Sequence, residues 1–162
     1  MNTQSQTVAG RPRPGSQFWG RFAGIVAIYA LLGPLVGAIG VTGLFTVYAV
    51  GVEIAIGNFD DIARRFVGGM LVGTIVSAIL AYAYGIVSAA GVGLVVAFRD
   101  RRKGGISWRT SLVAALAFWL LMSLAATAVV PPQGLVQWIG ALLAAHVLAA
   151  AVCTWIARRI FR

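Results

Sequence analysis

Phe22–Val52 reads FAGIVAIYALLGPLVGAIGVTGLFTVYAVGV, 31 residues without a charged side chain. As a straight helix it would be about 46 Å long at about 1.5 Å per residue. The hydrocarbon core of a bilayer is about 30 Å thick. The stretch is too long for one upright crossing and too short for two crossings joined by a turn. It therefore predicts a single tilted or bent membrane span. Gly33-Pro34 is the place for the bend, because proline removes one backbone hydrogen bond and crowds the preceding turn.

Three more runs read the same way. Val67–Phe98 has 32 uncharged residues, Ser111–Val130 has 20, and Gly134–Ala157 has 24. Together they predict an all-α membrane protein, a four-helix transmembrane bundle with spans at about 20–52, 66–98, 111–130 and 134–157. Two helices are long, the first kinked at Gly33-Pro34, and two are shorter. One domain covers 18–162. The polar, Pro- and Gly-containing segment 1–17 is expected to be a disordered cytoplasmic tail. Composition agrees: the 162 residues are 60% hydrophobic and 10% charged, where soluble domains carry about 25% charged residues.

The charges fix an expected orientation. Of the 13 Lys and Arg residues, 11 fall on one side if both ends are cytoplasmic: Arg11, Arg13 and Arg21; then Arg99, Arg101, Arg102, Lys103 and Arg109; then Arg158, Arg159 and Arg162. The positive-inside bias thus predicts a multi-pass inner-membrane protein with both termini in the cytoplasm. Trp19, Trp108, Trp138 and Trp155 sit near run ends, as interfacial anchors do. The net charge of +9 does not point to nucleic acid, because the basic residues cap apolar runs and form no stripe. Arg99, Arg101, Arg102 and Lys103, read as a basic loop, are placed to meet anionic lipid head groups.

Between the first two runs, Asn58 is expected to cap the second helix. Asp60 with Arg64 and Asp61 with Arg65 then form i, i+4 pairs. Glu53 is available to pair with Arg64 or Arg65.

Candidate functional residues are few. On the second helix Gly69, Gly73, Ser77, Ala81, Gly85, Ala89, Gly93 and Ala97 stand four apart. On the fourth, Ala141, Ala145, Ala149, Cys153 and Ala157 repeat the spacing. Small residues at this interval let helices approach closely in lipid. They pack this bundle or dock a partner subunit. Successive fours advance about 40°, so each row winds around its helix.

His146 is the one histidine and lies mid-span, which makes it the sole candidate for a cofactor or a proton. A lone imidazole lacks the further donors that a haem or metal site needs. The expected state is a neutral ring bonded to a Ser, Thr or Tyr of another helix, and no cofactor or metal is expected. Cys153 is the single cysteine, which rules out an intrachain disulfide. Tyr29, Tyr48, Tyr82 and Tyr84, with Thr42, Thr46, Thr74, Ser77 and Ser88, are read as hydroxyls that bond across helices or back to the backbone, or else as the lining of a path. No nucleophile–base pair or carboxylate pair marks an enzyme.

The layout runs from an N-terminal basic patch through Leu32-Gly33-Pro34-Leu35 and a Tyr/Gly/Ser/Ala-rich second helix into Arg99-Asp100-Arg101-Arg102, with two shorter helices after it. It resembles small uncharacterised four-span membrane proteins of bacteria. The resemblance implies an inner-membrane location and brings no activity. The expected role is an accessory or structural subunit of a larger inner-membrane complex, with other membrane subunits or copies of itself, and lipids, as partners. The alternatives are a small oligomeric transporter or channel and, further off, a membrane redox or lipid-modifying enzyme.

Overall fold

The computed structural model describes the backbone of residues 14–161 and the side chains of 19–161. Four helices follow one another: α1 Pro14–Ala55, α2 Ile62–Lys103, α3 Trp108–Thr127 and α4 Pro132–Ile160. All four are long and apolar enough to cross a membrane, and the chain is a multi-pass helical membrane protein. Residues 1–13 of the expected tail lie outside the described residues. Residues 14–17 belong to α1, which starts at Pro14, where the missing N–H costs no helical bond.

The helices form a ring in which α1 packs on α2, α2 on α3, α3 on α4 and α4 on α1, with α2–α3 the slightest interface. Neighbours run antiparallel. Along α1–α2 the pairing passes from Arg21 and Asp100 through Thr42 and Ser77 to Glu53 and Arg65. The core gathers Ile25, Tyr29, Val92, Val96, Ala115, Ala150, Cys153 and Ala157. All of it lies toward the end of the bundle that carries Arg21, Asp100 and Arg158.

Helix α1 runs unbroken through Pro34. Proline has no N–H and its ring displaces the carbonyl one turn earlier, so backbone oxygens near it need other donors. The Tyr82 hydroxyl on α2 donates to the Leu31 carbonyl beside this gap. A facing helix thus adds a bond one residue from the Ala30 carbonyl, the one that Pro34 leaves without a donor.

The ends differ from the sequence expectation in three places. Helix α2 runs on through Arg99–Lys103, so the expected basic loop is the helix's last turns. Basic side chains there meet the negative end of the dipole. The chain turns instead at Gly104 and Gly105, whose φ of 63° and 99° suit glycine. Helix α3 stops at Thr127, three residues before the end of the apolar run. Helix α4 already starts at Pro132, a first-turn position that proline favours.

Lengths divide the bundle. Helices α1 and α2 have 42 residues each, α3 has 20 and α4 has 29. The uncharged run of α1 exceeds that of α4 by about 10 Å at 1.5 Å per residue. The unburied part of the hairpin lies toward the α1–α2 turn. Within α2 the buried residues are Ser88, Val92, Gly93, Val96, Ala97 and Asp100; between Ile62 and Val87 none is buried. Within α1 the last buried residue is Thr46.

Candidate functional site

Four polar assemblies sit in or at the ends of the apolar bundle. The deepest joins three helices. Tyr29 of α1, Ser111 of α3 and Thr154 of α4 form a closed triangle of hydroxyls, with Tyr29–Ser111 at 2.9 Å and both contacts of Thr154 at 2.7 Å. Thr154 also reaches the Ala150 carbonyl at 2.6 Å. Ser111 and Thr154 are wholly buried and Tyr29 is 2% exposed. Ser111 also lies 3.5 Å from the Ala150 carbonyl, so three hydroxyl protons serve more oxygen contacts than they can fill at once. Unpaired, these groups would each cost free energy in a waterless interior; together they are satisfied.

The second assembly crosses the other diagonal of the ring. His146 of α4 meets the Ser88 hydroxyl of α2 through Nε2 at 2.8 Å. Its Nδ1 lies 2.7 Å from the Leu142 carbonyl. A carbonyl only accepts, so Nδ1 carries the proton and Nε2 accepts from Ser88. This assigns the neutral tautomer from the network. Both ring nitrogens are engaged, one to a serine of another helix. Among the described residues no three His, Cys, Asp or Glu side chains converge. Cys153 faces the Ile28 carbonyl and is buried.

The third assembly clamps the basic end. Arg21 holds Asp100 through two parallel bonds, Nε–Oδ2 at 2.7 Å and Nη2–Oδ1 at 3.0 Å. Asp100 Oδ1 also accepts from the Gly105 N–H at 2.9 Å. One carboxylate thus ties the start of α1 to the end of α2 and shapes the turn that leads to α3. Bidentate charge-assisted bonds are stronger than neutral ones. Phe22 stacks edge-on against Phe98 beside it, ring centres 5.2 Å apart, and Arg21 lies over the Phe161 ring at 5.7 Å.

The fourth closes the α1–α2 turn. Glu53 takes Arg65 Nη1 at 2.5 Å and the Asn58 amide, also at 2.5 Å. Arg64 pairs with Asp61 at 3.2 Å, an i, i+3 contact. These partners correct the expected Asp60–Arg64 and Asp61–Arg65 pairs and the Asn58 cap. The cause is the start of α2 at Ile62. Asp61 sits just before it at φ 58° and makes no side-chain cap bond; its carbonyl takes the Arg65 N–H while its carboxylate takes Arg64, which leaves Arg65 to Glu53.

The small-residue rows divide. A Cβ built at Gly73 would come 2.7 Å from Thr42, one at Gly69 3.3 Å from Thr46, and one at Gly93 2.9 Å from Tyr29. Ser77 bonds Thr42 at 3.0 Å. Ala89 faces Gly33 and Ala145 faces Gly37. Ala141 is buried, while Ala81 and Ala149 are half-buried. At Gly85 an added Cβ would meet nothing, so this member of the row has no packing role inside the chain. Ala89 and Gly93 beyond it face α1 again, so the gap at Gly85 is local.

Sequence reasoning missed two of these assemblies. Arg21 and Asp100 were absorbed into a topology signal, although Asp100 is the lone acid in a basic cluster. The triangle had only the weak signal of a tyrosine inside an apolar run. Comparison with family models, with curated proteins and with solved structures returned no match.

Proposed function

We propose that this protein is an accessory or structural subunit of a larger bacterial inner-membrane complex, with both termini cytoplasmic. The observation that carries the reading is the overhang of the α1–α2 hairpin. Its outer half exposes Phe45, Tyr48, Val52, Leu71, Val72, Ile75 and Ile79, and its uncharged length exceeds that of α4 by about 10 Å. Even at the average tilt of about 20° the α1 run spans about 44 Å, the whole bilayer with its head groups. Apolar surface beyond the hydrocarbon costs about 25 cal/mol per Å² unless something covers it. A partner subunit's helices are suited to cover it, and small residues such as Gly68 and Gly85, which meet nothing in this chain, allow close approach.

The inner polar groups support the same reading. Tyr29, Ser111, Thr154, Ser88 and His146 bond one another and brace both diagonals of the bundle, which suits a rigid scaffold. Purification from native membranes in mild detergent tests the proposal. The expected result is a stoichiometric complex with at least one different membrane polypeptide. Recovery of a pure homo-oligomer would favour an oligomeric transporter or channel instead, and recovery of the lone chain would sink the subunit reading.

A further inference from the structure

We propose that the groove between α2 and α3 at the basic end binds one anionic phospholipid, its phosphate on Arg99 and Arg109 and an acyl chain along the trough. This goes beyond the subunit reading and does not depend on it. The groove encloses about 530 Å³. Arg99 from α2 and Arg109 with Thr110 from the first turn of α3 line its charged part; Val95, Val113 and Phe118 line the rest. The slight α2–α3 interface leaves this trough open.

Its chemistry is that of an amphiphile with a negative head. No carboxylate lines it, and the nearest acid, Asp100, is held by Arg21 and Gly105. Among the described residues neither Arg99 nor Arg109 takes part in an ion pair. By contrast Arg21 is bound to Asp100 and Arg159 lies over Trp155. The first turn of α3 adds backbone N–H groups that no helical partner uses, and Ser107 makes no side-chain cap bond there. Two guanidiniums from different helices, a hydroxyl and a helix start thus border one trough, and a phosphate matches guanidinium geometry. The apolar wall continues from them toward the membrane middle, as an acyl chain does. A free phosphate has no use for that wall, so the ligand is a lipid.

Native mass spectrometry of the purified full chain tests this, with phosphatidylglycerol or phosphatidylcholine added in mild detergent. Wild type is expected to retain one phosphatidylglycerol and to bind phosphatidylcholine far more weakly. The double variant R99Q/R109Q should bind about thirtyfold more weakly, and R109Q alone, at an exposed position, about fivefold, at about 1 kcal/mol per basic side chain. R102Q/K103Q removes the same charge from the same helix end but not from the groove, and should lose less than about twofold. A117F fills the trough, leaves the arginines in place and should also weaken retention. Equal loss in R102Q/K103Q and R99Q/R109Q would show diffuse attraction and overturn the site. So would equal retention of both lipids, an unaffected A117F, or displacement by soluble glycerol phosphate. Circular dichroism establishes helix content for each variant. If R99Q/R109Q does not fold, R109Q and A117F decide.

Discussion

The two helices of the α1–α2 hairpin are almost equally apolar and packed quite differently. The most apolar stretch of α1 has a mean hydropathy of 2.2 and is 33% buried, while that of α2 has 2.0 and is 0% buried. Toward the basic end both helices face α3 and α4, and side chains such as Ile25, Tyr29, Val96 and Ala97 vanish from the surface. Toward the turn the two helices have mainly each other, through Thr42, Thr46, Gly69, Gly73 and Ser77. Hydropathy therefore marks what enters the membrane, not what packs. In lipid, packing is decided by where small residues let helices close and where polar groups find partners.

The sharpest test of this contrast sets Gly93 against Gly85, two members of one row. A side chain at Gly93 would collide with Tyr29 and with the Val26 backbone, whereas one at Gly85 meets open space. Gly93→Leu should cost about 1–3 kcal/mol or prevent folding, as overpacking does. Gly85→Leu should leave the isolated chain's stability within about 0.5 kcal/mol. Thermal unfolding of the purified chain, followed by size-exclusion recovery, measures both. Equal losses would show that the two halves are packed alike.

The clamp at the basic end comes next. Arg21→Gln leaves Asp100, 9% exposed, with only the Gly105 N–H, and should destabilise by about 1.5–3 kcal/mol, the range for bonds to charged groups. The matching change at the turn, Arg65→Gln, should cost under about 1 kcal/mol, because that pair is more exposed. The same unfolding assay compares them, and an inverted order would place the stable half at the turn.

Smaller effects belong to the cross-braces. Tyr29→Phe removes one corner of the triangle and should cost about 1 kcal/mol. His146→Gln keeps a hydrogen-bonding group toward Ser88 and should cost about 0.6 kcal/mol, the average for interhelical bonds in membranes. A His146→Gln protein that assembles fully while its complex loses all activity would move His146 from bracing to chemistry.

What the sequence could convey follows from these particulars. The four crossings were legible because charges such as Arg21, Glu53, Arg65, Arg99 and Arg158 bracket uncharged runs of countable length, and Pro131-Pro132 divides the last of them in two. The His146 bond to a hydroxyl of another helix was legible because a lone buried imidazole must find a partner. The choice of Ser88 was not, since it depends on the rotation of α2 against α4. Helix ends shifted for local reasons. Asp61 adopts a left-handed turn before α2, which moved the ion pairs, and Arg99–Lys103 stay helical up to two glycines. Tyr29, Ser111 and Thr154 are far apart in the chain, and no spacing rule brings them together. Gly85 and Gly93 look alike in sequence and differ in what lies against them, Tyr29 and the Val26 backbone at Gly93 and nothing at Gly85.

The central claim is that the outer half of the hairpin is a docking surface. The direct test is the native mass of the complex extracted in mild detergent for wild type, Ile75→Trp and Leu121→Trp. Ile75 is exposed on the outer half of α2, and Leu121 is equally exposed on α3. The account predicts a complex with a distinct second polypeptide in wild type and in Leu121→Trp, and its loss in Ile75→Trp with the chain still inserted and helical. Retention of the same partner by Ile75→Trp, or its loss from Leu121→Trp instead, would contradict it.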